Sequence, residues 1–186
     1  MRASLFGIQV NKETAPLGTM RDIRSLGNGA DWRRLMKAKD IMSKTLFCCT
    51  AEDSIQQAAK LMKDNDVGAL PVVNDCKERK LLGIITDRDI CLQAVALGKP
   101  VDKMKVSEAM TKSPITCSAD DSIETCESLM RRNQVRRIPV VDARGMCMGL
   151  ISQADVALHD TAEHIQQTMA ALSRHQAHGH VAAARA

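Results

Sequence analysis

Gly83-Ile84-Ile85-Thr86-Asp87-Arg88-Asp89 and Gly149-Leu150-Ile151-Ser152-Gln153-Ala154-Asp155 are two versions of one phrase. Each is an apolar run that ends on a hydroxyl residue, with an aspartate three positions further on. Each closes a segment that opened alike: Asp40-Ile41-Met42-Ser43-Lys44 in the first copy, Glu108-Ala109-Met110-Thr111-Lys112 in the second. Val141 follows Val73 by 68 positions and Gly149 follows Gly83 by 66. The difference falls in the turn between two strands, where length changes are tolerated. A duplication of about 60 residues means one fold unit used twice. The cleft between two packed copies is a natural ligand site.

Each copy reads strand–helix–strand–strand–helix. The first spans residues 38–98 and the second residues 104–160. In the first, Thr45 to Cys49 is extended, and Thr50-Ala51-Glu52-Asp53 resembles a capping box with Asp in place of Glu. Ile55, Ala58, Ala59 and Met62 follow at helical spacing. Ala69-Leu70-Pro71-Val72-Val73 reads as a strand, with Pro71 suggesting an edge or a strand start. Leu81 to Ile85 is the next strand, and a helix from about residue 87 stops at Gly98 and Pro100. The second copy repeats the order, with Ser118-Ala119-Asp120-Asp121 as the cap and Ile123, Cys126 and Met130 on the helix face. One unit alone would leave a sheet face bare. Two units packed sheet to sheet, with pseudo-two-fold symmetry, bury it and give an α/β (α+β) fold.

Residues 1–37 read as a flexible extension with a short helix near Trp32, either solvated throughout or with Trp32 docked on the folded body. Residues 161–186 read as a helix followed by a disordered tail. In that helix Ile165, Met169 and Leu172 stand at i, i+4 and i+7, a face for a partner.

The bulk composition narrows the class. Of 186 residues 45% are hydrophobic, yet only 2% are aromatic. The core must therefore come from Val, Ile, Leu, Met, Ala and Cys, and base-stacking platforms for single strands are ruled against. A net charge of +4 suits an anionic small ligand better than nucleic acid, which calls for a denser basic stripe. Seven cysteines, with no C-x-x-C pair, fit a reducing cytoplasm better than a secreted disulfide framework. No run of 18 apolar residues is present, so no membrane span is expected. No P-loop, H-E-x-x-H or Ser/His/Asp pattern appears, so an enzyme is not expected.

The Met-Ser-Lys or Met-Thr-Lys opening, the Pro-Val-Val strand and the closing Gly-x-x-Thr/Ser-x-x-Asp occur twice, in order, at matching distances. This combination resembles the CBS domain, whose paired form is the Bateman module. The resemblance covers about residues 38–160 and is nearest to small bacterial stand-alone CBS pairs. It implies a regulatory module that binds an adenine nucleotide (AMP, ADP or ATP) with no required cofactor. It also implies a homodimer of two flat pairs and a downstream protein of unknown identity.

The chemistry of the phrase agrees. A ribose diol offers two donors, and a carboxylate offers two acceptor oxygens. The resemblance carries ribose binding to Asp89 and Asp155, with the hydroxyls of Thr86 and Ser152. It completes each site from the opposite copy. Asp89 would face Ser113, Ile115 and Thr116, with Val135, Arg136 and Arg137. Asp155 would face Thr45, Phe47 and Cys48, with Val67, Gly68 and Ala69. Arg136, Arg137 and Arg88 are the phosphate candidates, since guanidinium groups suit bidentate phosphate contacts, with Arg88 open equally to a dimer contact. The Asp89 site would then take the more anionic ligand, and Phe47 would narrow the other. The same string also has a purely local reading: Thr86 and Ser152 cap a helix, and the aspartates favour its dipole.

Three other classes stay open. An interaction scaffold would dock a partner through the 161–172 helix. A metal or redox sensor would use Cys48-Cys49 and His159 or His164, although zinc-type spacing is absent and no metal site is assigned. Nucleic acid is a runner-up partner only, because the charge is low.

Overall fold

The computed structural model describes residues 32–174. The expectations for residues 1–31 and for the tail beyond 174 lie outside the described residues. The chain opens with two short helices, α1 (Trp32–Leu35) and α2 (Ala38–Ile41). The first copy then runs β1 (Cys49–Thr50), α3 (Ile55–Asp64), β2 (Ala69–Val73), β3 (Leu81–Thr86) and α4 (Asp87–Ile90). A π-helical turn, Cys91–Val95, prolongs α4. The second copy has β4 (Thr111–Lys112), β5 (Cys117–Ser118), α5 (Ile123–Asn133), β6 (Arg137–Val141), β7 (Cys147–Ser152) and α6 (Gln153–His159). Helix α7 (Ala162–Arg174) closes the described chain. Among the described residues no helix is long and apolar enough to cross a membrane.

The described residues form two sheets, ordered β1-β2-β3-β4 and β5-β6-β7. In each, a two-residue strand lies parallel beside the Pro-Val-Val strand, which pairs antiparallel with the strand after it. The outer edge is lent by the other copy. β4, from the opening of the second copy, pairs with Gly83 and Ile84 of the first. Ser43, from the opening of the first, bridges Leu150 of the second, with Ser43 N–H donating to the Leu150 carbonyl at 2.9 Å.

The cores follow the same exchange. Met36, Ala38 and Ile41 are buried with Ile123, Met130 and Ile151 of the second copy. Met104, Val106 and Ala109 are buried with Ile55, Leu70 and Ile85 of the first. Fully burying one such aliphatic side chain is worth about 1.5–3 kcal/mol, so neither core is complete without the segment it borrows.

Glycine makes the exchange possible. A Cβ on Gly83 would stand 2.8 Å from the Thr111 carbonyl oxygen and 2.8 Å from Met110 Sδ. A Cβ on Gly149 would stand 2.8 Å from the Ser43 carbonyl oxygen and 2.7 Å from Met42 Sδ. The opening Met-Ser and Met-Thr pairs therefore lie directly on a strand that has no side chain there.

Four expectations are corrected. The helix caps lie four residues later than expected. Thr50 N–H and Ser118 N–H do donate to Asp53 and Asp121, at 2.7 and 2.8 Å. Thr50 and Ser118 still end strands, however, so these contacts form the turn that precedes each helix. The caps themselves are Ser54, paired with Gln57, and Ser122, which accepts from Thr125 N–H. Pro71 is inside its sheet and not at an edge; β1 pairs only with Val72 and Val73, one residue beyond the ring. Residues 32–37 are not a free extension, because Met36 is buried and its carbonyl accepts from Ile123 N–H at 3.0 Å. Finally, α7 packs on α5 and α6 of its own chain. Leu172 and Thr168 are buried, and Thr168 Oγ1 donates to Glu127 Oε1 at 3.1 Å. The apolar face offered to a partner is largely occupied at home.

Gly149→Ala is expected to lower stability by about 1–3 kcal/mol, because the new methyl meets a fixed backbone carbonyl. Urea unfolding checks this; an unchanged midpoint would show that the edge segment is not seated on the glycine.

Candidate functional site

β3 and β7 each end on the hydroxyl residue of the repeated phrase, and that residue caps the next helix. Thr86 Oγ1 accepts from Asp89 N–H at 3.2 Å and donates to Asp89 Oδ2 at 2.7 Å. Thr86 N–H donates to the same Oδ2 at 2.9 Å. Ser152 and Asp155 repeat the arrangement, with 2.7 Å from Ser152 N–H and 2.6 Å from Ser152 Oγ, both to Oδ2. The local capping reading is therefore correct, and it uses one carboxylate oxygen. The other oxygen, Oδ1, has no partner among the described residues in either aspartate.

Both half-buried aspartates line a cleft between the copies. The Asp89 cleft has a volume of about 510 Å³. Thr86, Asp89 and Arg88 reach it from the first copy; Ser113, Ile115, Arg136 and Arg137 reach it from the second, with Val135 beside them. The Asp155 cleft is smaller, about 230 Å³. Ser152 and Asp155 meet Thr45, Phe47, Val67, Gly68 and Ala69 there. Ligand pockets run from about 300 to 1,000 Å³, and of these two clefts the Asp89 cleft is the one within that range.

Two expected residues are not in these walls. Thr116 does not reach the Asp89 cleft; the chain there is presented by Ser113, Pro114 and Ile115. Cys48 does not reach the Asp155 cleft, because its Sγ turns to Cys76 Sγ, 3.0 Å away.

Arg137 breaks the simple pairing of charge with cleft, since it lines both. Its guanidinium occupies the space beside Gly68, where a Cβ would stand 2.7 Å from Nη2. The smaller cleft thus has one cation in its lining, while Arg88 and Arg136 line the larger cleft and not the smaller.

Asp66 and Gln134 also line the clefts and were not anticipated. They occupy equivalent places after α3 and α5, in the left-handed region at φ 52° and 55°. Their signal in the sequence was their matched position one residue before Val67 and Val135. Asp87 lines the larger cleft too, and it stood unassigned inside the opening phrase. Among the described residues no group of three or more His, Cys, Asp or Glu side chains converges as a metal site.

The family model for the CBS domain matches residues 38–94 and 106–174. The chain belongs to the CBS-domain family. It is 39% identical over 126 residues to the uncharacterized protein YlbB of Bacillus subtilis, covering 68% of this chain and 83% of that one. It is 32% identical over 135 residues to hypoxic response protein 1 of Mycobacterium tuberculosis, covering 73% of this chain and 92% of that one. Among solved structures it is similar to hypoxic response protein I with two coordinated zinc ions, at TM-score 0.61 and 31% identity, covering 68% and 100% of the two chains. It is also similar to CBSX2, a CBS-pair protein of Arabidopsis thaliana, in complex with AMP. That match has a TM-score of 0.58 and 26% identity, and covers 70% and 98% of the two chains. The CBS pair is thus the matched unit throughout.

Proposed function

We propose that this CBS pair is a regulatory, non-catalytic sensor of an adenine nucleotide (AMP, ADP or ATP), and that the ligand binds in the Asp89 cleft. One observation carries the proposal: Asp89 caps α4 with Oδ2 and keeps Oδ1 for a further donor. A carboxylate oxygen has two lone pairs, and Thr86 Oγ1 retains one. Together they supply acceptors for both hydroxyls of a ribose. Arg88, Arg136 and Arg137 line the same cleft and supply cations for phosphate. Ile115 and Val135 supply apolar walls for the base. The CBSX2 complex supports AMP as the first ligand to try. Thr45, Phe47, Val67, Gly68 and Ala69 would form the second, tighter site, with Phe47 reducing its volume.

We assign the module to the reducing cytoplasm, on the ground that all seven cysteines are free. We also assign it a homodimeric state. Leu92 and Leu158 hold equivalent places in the two copies and are 46% and 73% exposed. Val95 and Leu97 extend the first of these patches. Nothing among the described residues covers these side chains fully, and a second copy would present the same pair in return. Binding would regulate by favouring one arrangement of the copies over another. The regulated protein has no signature here.

Asp89→Asn separates capping from binding. The amide oxygen can still accept from Thr86, while the group left for the ligand becomes a donor. Calorimetry with AMP is expected to show at least a tenfold loss of affinity, with a melting temperature near that of the parent. Equal affinity in the two proteins would refute the ribose role of Asp89. Leu158→Arg is expected to yield monomers in sedimentation velocity; an unaltered dimer would place the interface elsewhere.

A further inference from the structure

Cys48 and Cys76 meet at a place that the nucleotide reading does not use. Their Sγ atoms are 3.0 Å apart, joined across 28 residues of sequence. Cys48 is half-buried in the extended segment 45–48, which also carries Phe47 into the smaller cleft. Cys76 is exposed on the turn between β2 and β3. A disulfide has an S–S length of about 2.05 Å, so the two sulfurs need to approach by roughly 1 Å, a movement within reach of an exposed turn. Arg79 Nε donates to the Cys76 carbonyl at 3.4 Å and sets a guanidinium beside the pair. Burial and the contact with Cys76 push the Cys48 thiol up, so Cys48 is not the first to react. Burial also pushes up the Cys49 thiol, to about 12, and the Cys147 thiol, to about 11.

We propose that Cys76 is a modification site for low-molecular-weight disulfides such as oxidised glutathione, and that Cys48 resolves the adduct into a Cys48–Cys76 disulfide. The Cys76 thiolate attacks one sulfur of oxidised glutathione. That S–S bond breaks, one glutathione leaves as thiolate and takes a proton, and a mixed disulfide remains on Cys76. Cys48 gives up its proton and attacks the Cys76 sulfur, and the second glutathione leaves and is protonated. Two protein thiols are oxidised and one oxidised glutathione is reduced to two thiols. The new bond ties segment 45–48 to the β2–β3 turn and stiffens one wall of the smaller cleft.

The test incubates the folded full-length chain with oxidised glutathione, quenches with iodoacetamide, and maps peptides without reduction. The expected product is a 48–76 cross-linked peptide with no glutathione retained. Cys48→Ser is expected to stop at a stable Cys76–glutathione adduct, and Cys76→Ser to leave Cys48 open to alkylation. Hydrogen exchange of residues 45–48 is expected to slow in the oxidised protein, with residues 113–116 unchanged. A lasting adduct on Cys76 in the parent, a Cys48–Cys49 bond, or no reaction would overturn the pairing. Unchanged exchange at 45–48 would overturn its effect on the cleft wall.

Discussion

The fold depends on a close approach of backbone to backbone at two glycines. Gly83 and Gly149 leave bare strand surface, and the opening segment of the opposite copy lies on it. This contact joins two 60-residue-scale repeats into one body, because each core takes in residues of the other's opening. It also builds the larger cleft. β4 is hydrogen-bonded beside β3, and β3 ends at Thr86. The chain leaving β4 through Ser113 and Ile115 must then pass over Asp89. The site is a by-product of the edge exchange and would not survive its loss.

In the proposed function the acidic residue of the repeated phrase would serve local structure and ligand chemistry together. One oxygen closes the capping box and fixes the rotamer; the other has no partner among the described residues. The first role preorganises the second, since a side chain already pinned by two donors loses little entropy when a ligand arrives. The two readings of the string compete only if the whole carboxylate is counted as one acceptor.

Much of this was legible in the sequence, because repetition doubles every signal. The order of elements and the helix faces of Ile55, Ala58 and Met62 follow from matched positions; the grouping of Asp89 with Ser113, Ile115 and Arg136 came from the resemblance to the CBS domain. What was not legible is what depends on direction and reach. The exchange of edges has no periodicity to betray it. The caps moved to Ser54 and Ser122 because an Asp-closed turn and a capping box share one pattern of residues. Arg137 belongs to both clefts only because Gly68 gives its side chain room. Cys48 left its expected wall because a thiol 28 residues away in sequence stands next to it.

The clefts differ more than their shared phrase suggests. Roughly twice the volume and two further arginines set the Asp89 cleft apart, so occupancy should be unequal. A crystal structure of the protein grown with AMP tests this account most directly. The account predicts density for the nucleotide in the Asp89 cleft, with the ribose hydroxyls on Asp89 Oδ1 and Thr86 Oγ1 and the phosphate among the arginines. An empty Asp89 cleft, or a ribose turned away from that carboxylate, would contradict it.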